Sequence, residues 1–383
     1  MNYLIETRIP FGNACQISVD ETKSPVEINF SPSPHGGPET LWFCFRVLRL
    51  NKNNTKKNVI RLVLRNFRNL LGGSNPALVS IVSKSGNSSW HRLGAGKSLS
   101  EADGHISACW ETSIISETTD FALCYPYGKE ELLTLISQHP NYWKLACIGS
   151  SQQEREILRI SNGNGVKGSN VPGIYVIARQ HSGETPGSWA LHGLLDYFAD
   201  KKSKDFLIWG IPLSNIDGIE NGDYGKDNFP YDLNRAWSSP AMRHETHVIK
   251  IDVDAWAAKC KPFVALDFHA PGACENDGAY CFVPKTIDGR RERMSLELAE
   301  FISAEIKKTG LASKNFIKSA DYKSRWETLS FTKFICDTFS IASLSFEFPY
   351  SFAKSKELDT SDYMKMGKAI ANGLEKLYAA SKK

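Results

Sequence analysis

Residues 173–178, Gly-Ile-Tyr-Val-Ile-Ala, are apolar without alternation, and residues 188–198 then repeat their apolar positions at helical spacing. An unbroken apolar run is what a strand covered on both faces requires. The pair therefore reads as a buried strand feeding a helix that packs back on its sheet. The loop between them carries His181-Ser-Gly-Glu184. This places an imidazole and a carboxylate at a strand's carboxyl end, the edge of an open α/β sheet where ligands and catalytic groups gather. A His and a Glu separated by two residues can converge on one zinc ion, given a third ligand from elsewhere.

The rest of the chain has two regimes. From residue 128 onward, helical spacing at 130–137, 296–306 and 363–377 alternates with strand-like runs at 143–149, 206–211, 263–268 and 341–346. Such alternation predicts an α/β fold with a mixed, largely parallel sheet flanked by helices. Before residue 125 there are only short strand-like runs, at 40–48, 58–65, 105–112 and 120–124. Turn clusters such as Ser33-Pro-His-Gly-Gly-Pro38 and Leu71-Gly-Gly-Ser-Asn-Pro76 separate them, which predicts an antiparallel β-sandwich. The expected division is 1–125 and 126–383, and 383 residues are enough for two domains.

A net charge of +4 and the lack of a basic tract interleaved with aromatics give no reason to expect nucleic acid. Lys56 and Lys57, within 51–58, read as part of a solvated hairpin loop. No apolar run reaches transmembrane length, so no membrane partner is expected. The first eight residues show neither the basic nor the apolar region of a secretory signal. Nine scattered cysteines without a Cys-x-x-Cys suit reduced thiols in a cytoplasm, with Cys274 and Cys281 as small buried side chains.

His269 directly follows the run at 263–268, and Glu347 directly follows the run at 341–346. Three strand ends thus carry His or Glu. In this setting the segments Ala178-Arg-Gln-His-Ser-Gly-Glu-Thr-Pro-Gly-Ser-Trp189, Asp232-Leu-Asn-Arg-Ala-Trp237, Asp267-Phe-His269 and Ser345-Phe-Glu347 resemble the zinc metallocarboxypeptidases, in that family's order. The likeness is to the cytosolic carboxypeptidase branch, which includes deglutamylases. Cys124-Tyr-Pro-Tyr-Gly-Lys129 and Asn215-Ile-Asp-Gly-Ile-Glu-Asn-Gly222 share it. The resemblance implies one zinc ion per chain on His181, Glu184 and His269, the His₂Glu set that carboxypeptidase A exemplifies. It implies Glu347 as general base, and Asn234 with Arg235 as the holder of the substrate's terminal carboxylate, a task suited to a guanidinium fork. Asp232 would orient the first zinc histidine. The substrate would be the carboxyl terminus of a peptide or protein.

The chain departs from the family pattern in two places. The family usually has an arginine shortly before Asp-x-Asn-Arg to stabilise the oxyanion. Here the equivalent position is Gly225, and the neighbouring Lys226 is the only cation between Asp217 and Asp232. Lys226 is therefore the expected electrophile. Without it, catalysis would be weaker by roughly two to three orders of magnitude. After His269, where deglutamylases of the branch tend to be basic, this chain has Glu275 and Asp277, which speaks against a polyglutamate preference.

Three other features are weaker. His244-Glu-Thr-His247 is one residue short of a His-Glu-x-x-His site. Tyr322 is a loose match to the family's mobile tyrosine, and Arg179 reads as structural or functional alike. Two further readings stay open: a zinc amidohydrolase of small N-acyl amino acids, and a catalytically weak peptide-binding protein.

Overall fold

A computed structural model describes residues 2–50, 59–101, 104–286 and 289–382, so the expected hairpin loop at 51–58 lies outside the described residues. The early apolar segments form two five-stranded sheets. In the first, β1 (Tyr3–Glu6), β4 (Cys44–Arg49), β10 (Thr118–Ala122), β6 (Ser80–Ser85) and β7 (His91–Ala95) pair in that order, all antiparallel. The second orders β2 (Cys15–Asp20), β3 (Val26–Ser31), β5 (Val59–Leu64), β9 (Ile106–Ser113) and β8 (Lys97–Ser100). Phe30 of β3 meets Phe45 of β4 at 4.7 Å between ring centroids, so the inner faces share one core.

One pairing differs from the expected antiparallel pattern: β3 and β5 run parallel. Between them the chain crosses to the opposite sheet as β4, which is the crossover a parallel pair needs. The strand expected from residue 40 begins only at Cys44. Trp42 instead donates its indole N–H to the Phe11 carbonyl at 2.9 Å.

Beyond residue 128, α1 (Lys129–Gln138) leads into an eight-stranded sheet. Its order is β11 (Lys144–Ser150), β12 (Glu156–Ser161), β14 (Leu207–Ile211), β13 (Pro172–Ala178), β15 (Lys261–His269), β18 (Ala342–Glu347), β16 (Ala279–Val283) and β17 (Ala312–Ser319). The four central strands, β14, β13, β15 and β18, are mutually parallel. Alternate residues of β13 serve different cores, as the two-residue period of a strand dictates. Ile174 and Val176 pack with α2 (Thr185–Asp200), α5 (Gly289–Ile306) and α7 (Thr360–Ser381). Tyr175 and Ile177 join Trp209, Trp256 and Phe331 under α4 (His244–Ala257) and α6 (Phe331–Phe339). Both faces are covered, which explains the unbroken apolar run. A short helix, α3 (Ile216–Asn221), follows β14.

Strand order positions the site. From β13 the chain moves out to β14 on one side and returns to β15 on the other, leaving a crevice between the carboxyl ends of β13 and β15. In the parallel register β15 ends at His269 exactly opposite Glu347, the last residue of β18.

Candidate active site

The loop after β13 is held rigidly. Arg179, at a φ of 62°, is buried and donates to the carbonyls of Ser182 and Tyr127, both at 2.7 Å. Its role is therefore to tie the His181 loop to the segment before α1. That loop brings His181 and Glu184 to the crevice, and β15 brings His269. The three residues are buried, and their ligand atoms lie within 4.8 Å of one another.

Glu184 stands between the imidazoles. Its Oε1 is 2.9 Å from His181 Nδ1, and its Oε2 is 2.7 Å from His269 Nδ1. The far nitrogens face carboxylates: His181 Nε2 lies 3.3 Å from Asp232 Oδ1, and His269 Nε2 lies 2.8 Å from Asp267 Oδ2. Donation from Nε2 leaves the Nδ1 lone pair aimed inward. Lone pairs would then confront carboxylate oxygens, an arrangement that needs a proton or a cation at the focus. Burial alone would push the His181 imidazole down, but Glu184 and Asp232 outweigh it and raise it to about 9. The same contest, with Asp267 and Glu184, raises His269. Two imidazoles and a carboxylate, with acceptors behind both rings, fit a zinc ion.

Asp232, cap of a short 3-10 turn (Leu233–Arg235), also accepts from the Asn234 backbone at 2.7 Å. The turn aims Asn234 and Arg235 into the cleft. Asn234 lines it, but its Oδ1 is taken by Gln180 Nε2 at 3.1 Å and the Phe331 backbone at 3.2 Å, and its Nδ2 lies 3.1 Å from His269 Nε2. Arg235 donates to Ser324 Oγ, the Asn234 carbonyl and Tyr322 hydroxyl. All three are neutral oxygens. No carboxylate among the described residues pairs with it.

Glu347 faces the same cleft, about 270 Å³ in volume, whose lining includes His181, Glu184, Lys226, Arg235, His269, Glu275 and Tyr322. Burial, reinforced by Glu184, pushes the Glu347 carboxyl up to about 8 against the opposing pull of His269 and Lys226. Its Oε2 is buried without a hydrogen-bond partner. Lys226 reaches the cleft from the loop after α3. Burial pulls its ammonium down, but Glu184, Glu39 and Glu347 more than offset that and hold it above its ordinary range. Gly225 packs at a φ of 85° with its Cα against Ser182; a Cβ there would meet Ser182 Oγ at 2.3 Å. A side chain as large as arginine has no room at that position.

Sequence reasoning gave no role to Gln180, Asp267 or Trp237. Trp237 Nε1 donates to Gln180 Oε1 at 2.7 Å, and Gln180 Nε2 donates to Asp267 Oδ2 at 2.6 Å, forming a relay behind His269. The signal for Asp267 was present: two residues before His269 on a strand, it shares that residue's face. The outlying features separate cleanly. His244 and His247 are exposed on α4, whereas Glu275 lines the cleft and Asp277 is exposed outside it.

Residues 129–258 match the family model described as zinc carboxypeptidase. The chain carries a zinc carboxypeptidase domain. Against human cytosolic carboxypeptidase 6 the chain is 29% identical over 134 residues, covering 32% of the chain and 27% of that protein. Against cytosolic carboxypeptidase 2 of Xenopus tropicalis it is 27% identical over 284 residues, covering 64% and 28%. The chain spans about a quarter of the length of these relatives. A metallo-carboxypeptidase from Burkholderia cenocepacia shares the fold over 100% of both chains, with a TM-score of 0.79 at 17% identity. The metallo-carboxypeptidase from Pseudomonas aeruginosa, solved with (2-guanidinoethylmercapto)succinic acid, covers 98% of this chain and 99% of its own, with a TM-score of 0.73 at 18% identity. The likeness to both includes the two amino-terminal sheets.

Proposed function

We propose that this chain is a zinc-dependent carboxypeptidase that removes residues from the carboxyl terminus of a peptide or protein, with one zinc ion held by His181, Glu184 and His269. The observation that carries this reading is the meeting of those three buried groups in one cleft with Glu347 and Arg235. A zinc ion held there would polarise the scissile carbonyl and make water more acidic.

The chain's own residues do the rest. Arg235, with no carboxylate of the described residues in hydrogen-bonding contact with it, grips the terminal carboxylate through its guanidinium fork. Because the grip requires a chain end, cleavage is confined to the last residue. Asn234 borders that grip. Glu347 Oε2, free of hydrogen bonds, takes a proton from the attacking water and passes it to the departing amine nitrogen. Lys226 supplies positive charge where the carbonyl oxygen becomes negative. Asp232 and Asp267 hold the two imidazoles in one tautomer. Residues 1–125 act as a domain that shapes one wall of the catalytic segment's cleft, since Leu71 and Gly72 line it.

A cytoplasmic setting is supported by nine unpaired cysteines and by the cytosolic names of the relatives. No helix among the described residues is long and apolar enough to cross a membrane.

Mass spectrometry of a peptide library with free carboxyl termini tests the proposal. Wild type should release terminal residues, Glu347→Gln should be slower by roughly 10²–10⁴-fold, and small N-acyl amino acids should remain intact. Equal background release from both proteins would leave a peptide-binding protein as the better reading.

A further inference from the structure

A lysine is a poor copy of an arginine at an oxyanion site. Its ammonium rides on a flexible four-carbon stem, whereas a guanidinium is a rigid fork. Lys226 therefore needs something to hold it in place, and the structure supplies a carboxylate from the amino-terminal region. Glu39 Oε2 lies 3.7 Å from Lys226 Nζ. That oxygen is buried and has no hydrogen-bond partner, so its charge is directed at the ammonium without taking one of its protons. The other oxygen, Oε1, accepts from Arg325 Nη1 at 2.5 Å. Arg325 also pairs with Asp227, and Trp326 Nε1 donates to Asp227 at 2.8 Å.

The contact belongs to a longer clasp. His35 Nδ1 meets Asp223 Oδ1 at 2.9 Å, and the Gly36 carbonyl accepts from the Phe229 backbone at 3.3 Å. The 35–39 segment thus touches the loop that carries Lys226 at Asp223, Lys226 and Phe229.

From this we infer that Glu39 is a positioning residue. Anchored by Arg325, it acts beside Glu184 and Glu347 to hold the Lys226 ammonium at the cleft while leaving its three protons for the substrate's developing oxyanion. The inference rests on the carboxypeptidase reading for its chemistry, but the placement of Lys226 can be checked without turnover.

A double-mutant cycle on a peptide that wild type cleaves provides the kinetic test. Lys226→Met should lower kcat by roughly 10²–10³-fold. Glu39→Gln should lower kcat by about tenfold, with KM and melting temperature little changed. In the Lys226→Met background Glu39→Gln should cost nothing further. A Glu39→Gln protein as fast as wild type or faster would overturn the inference, as would losses that add in the double variant. A crystal structure of Glu39→Gln supplies the independent readout: Lys226 Nζ should leave the cleft, and its staying in place would refute the role. If wild type cleaves no peptide, the functional proposal fails while this structural test stands.

Discussion

Behind each imidazole of the centre stands a carboxylate, and the two are held in different ways. Asp232 is fixed by backbone N–H groups of its own turn and of Asp227, so it moves only if the loop moves. Asp267 depends on a single side chain, Gln180, and its Oδ1 is buried without a partner. Asp267→Asn should therefore weaken zinc affinity by roughly 10–100-fold with the fold retained. Competition against a calibrated chelator measures this, and an unchanged affinity would show that His269 needs no such support. Legibility at this scale followed position in the chain. His269 and Glu347 stand out because each ends an apolar run, and His181 and Glu184 because a strand and a helix bracket them. Gln180 carries no periodic signal. Glu39 is nearly two hundred positions from Lys226 and lies in a region whose pattern speaks only of strands, so no spacing rule connects them.

Helices α2 and α7 cross where neither has a side chain. A Cβ on Gly367 would fall 1.8 Å from the Ala190 carbonyl oxygen, and one on Gly193 would fall 2.1 Å from that of Met364. Both obstacles are backbone, so neither can step aside. Gly367→Ala should destabilise the protein by about 3 kcal/mol, read as a lower midpoint in thermal or urea unfolding; a loss under about 1 kcal/mol would mean the helices can separate freely. Elements with one strongly apolar face were legible, α2, α5 and α7 among them. The strand β17 was not, because Ala-Ser-Lys-Asn-Phe-Ile-Lys-Ser is mostly polar, as an edge strand open to water on one side permits. Nor was α3, whose six residues are too few to show a period. The parallel pairing of β3 and β5 depends on which sheet the intervening strand joins, and local pattern does not encode that.

Across the whole molecule, the amino-terminal sheets and the catalytic segment are stitched by polar groups in a buried seam. Arg92 of β7 donates to the Leu358 carbonyl at 3.0 Å and the Tyr350 carbonyl at 2.5 Å. The Tyr127 hydroxyl and His192 Nδ1 share a hydrogen bond at 3.1 Å, joining the segment before α1 to α2. Burial pushes the His192 imidazole down to about 4. The unfolded chain, near the ordinary 6.5, takes up the proton first. His192 thus contributes stability that is fully present above pH 6.5 and drains away as pH falls toward about 4, by an amount of about 3 kcal/mol. In metal-free protein, His192→Phe should lose correspondingly less unfolding free energy between pH 7 and pH 4.5; identical losses would place the acid sensitivity elsewhere.

The shared register of β15 and β18 makes the sheet a ruler. His269 and Glu347 are set side by side by main-chain pairing rather than by any contact of their own. Deleting one residue from either strand would shift its terminal group by about 3.3 Å and turn it to the opposite face. Changes of length on this scaffold are therefore tolerated beyond the strand tips, in loops that leave the spacing of the ruler untouched.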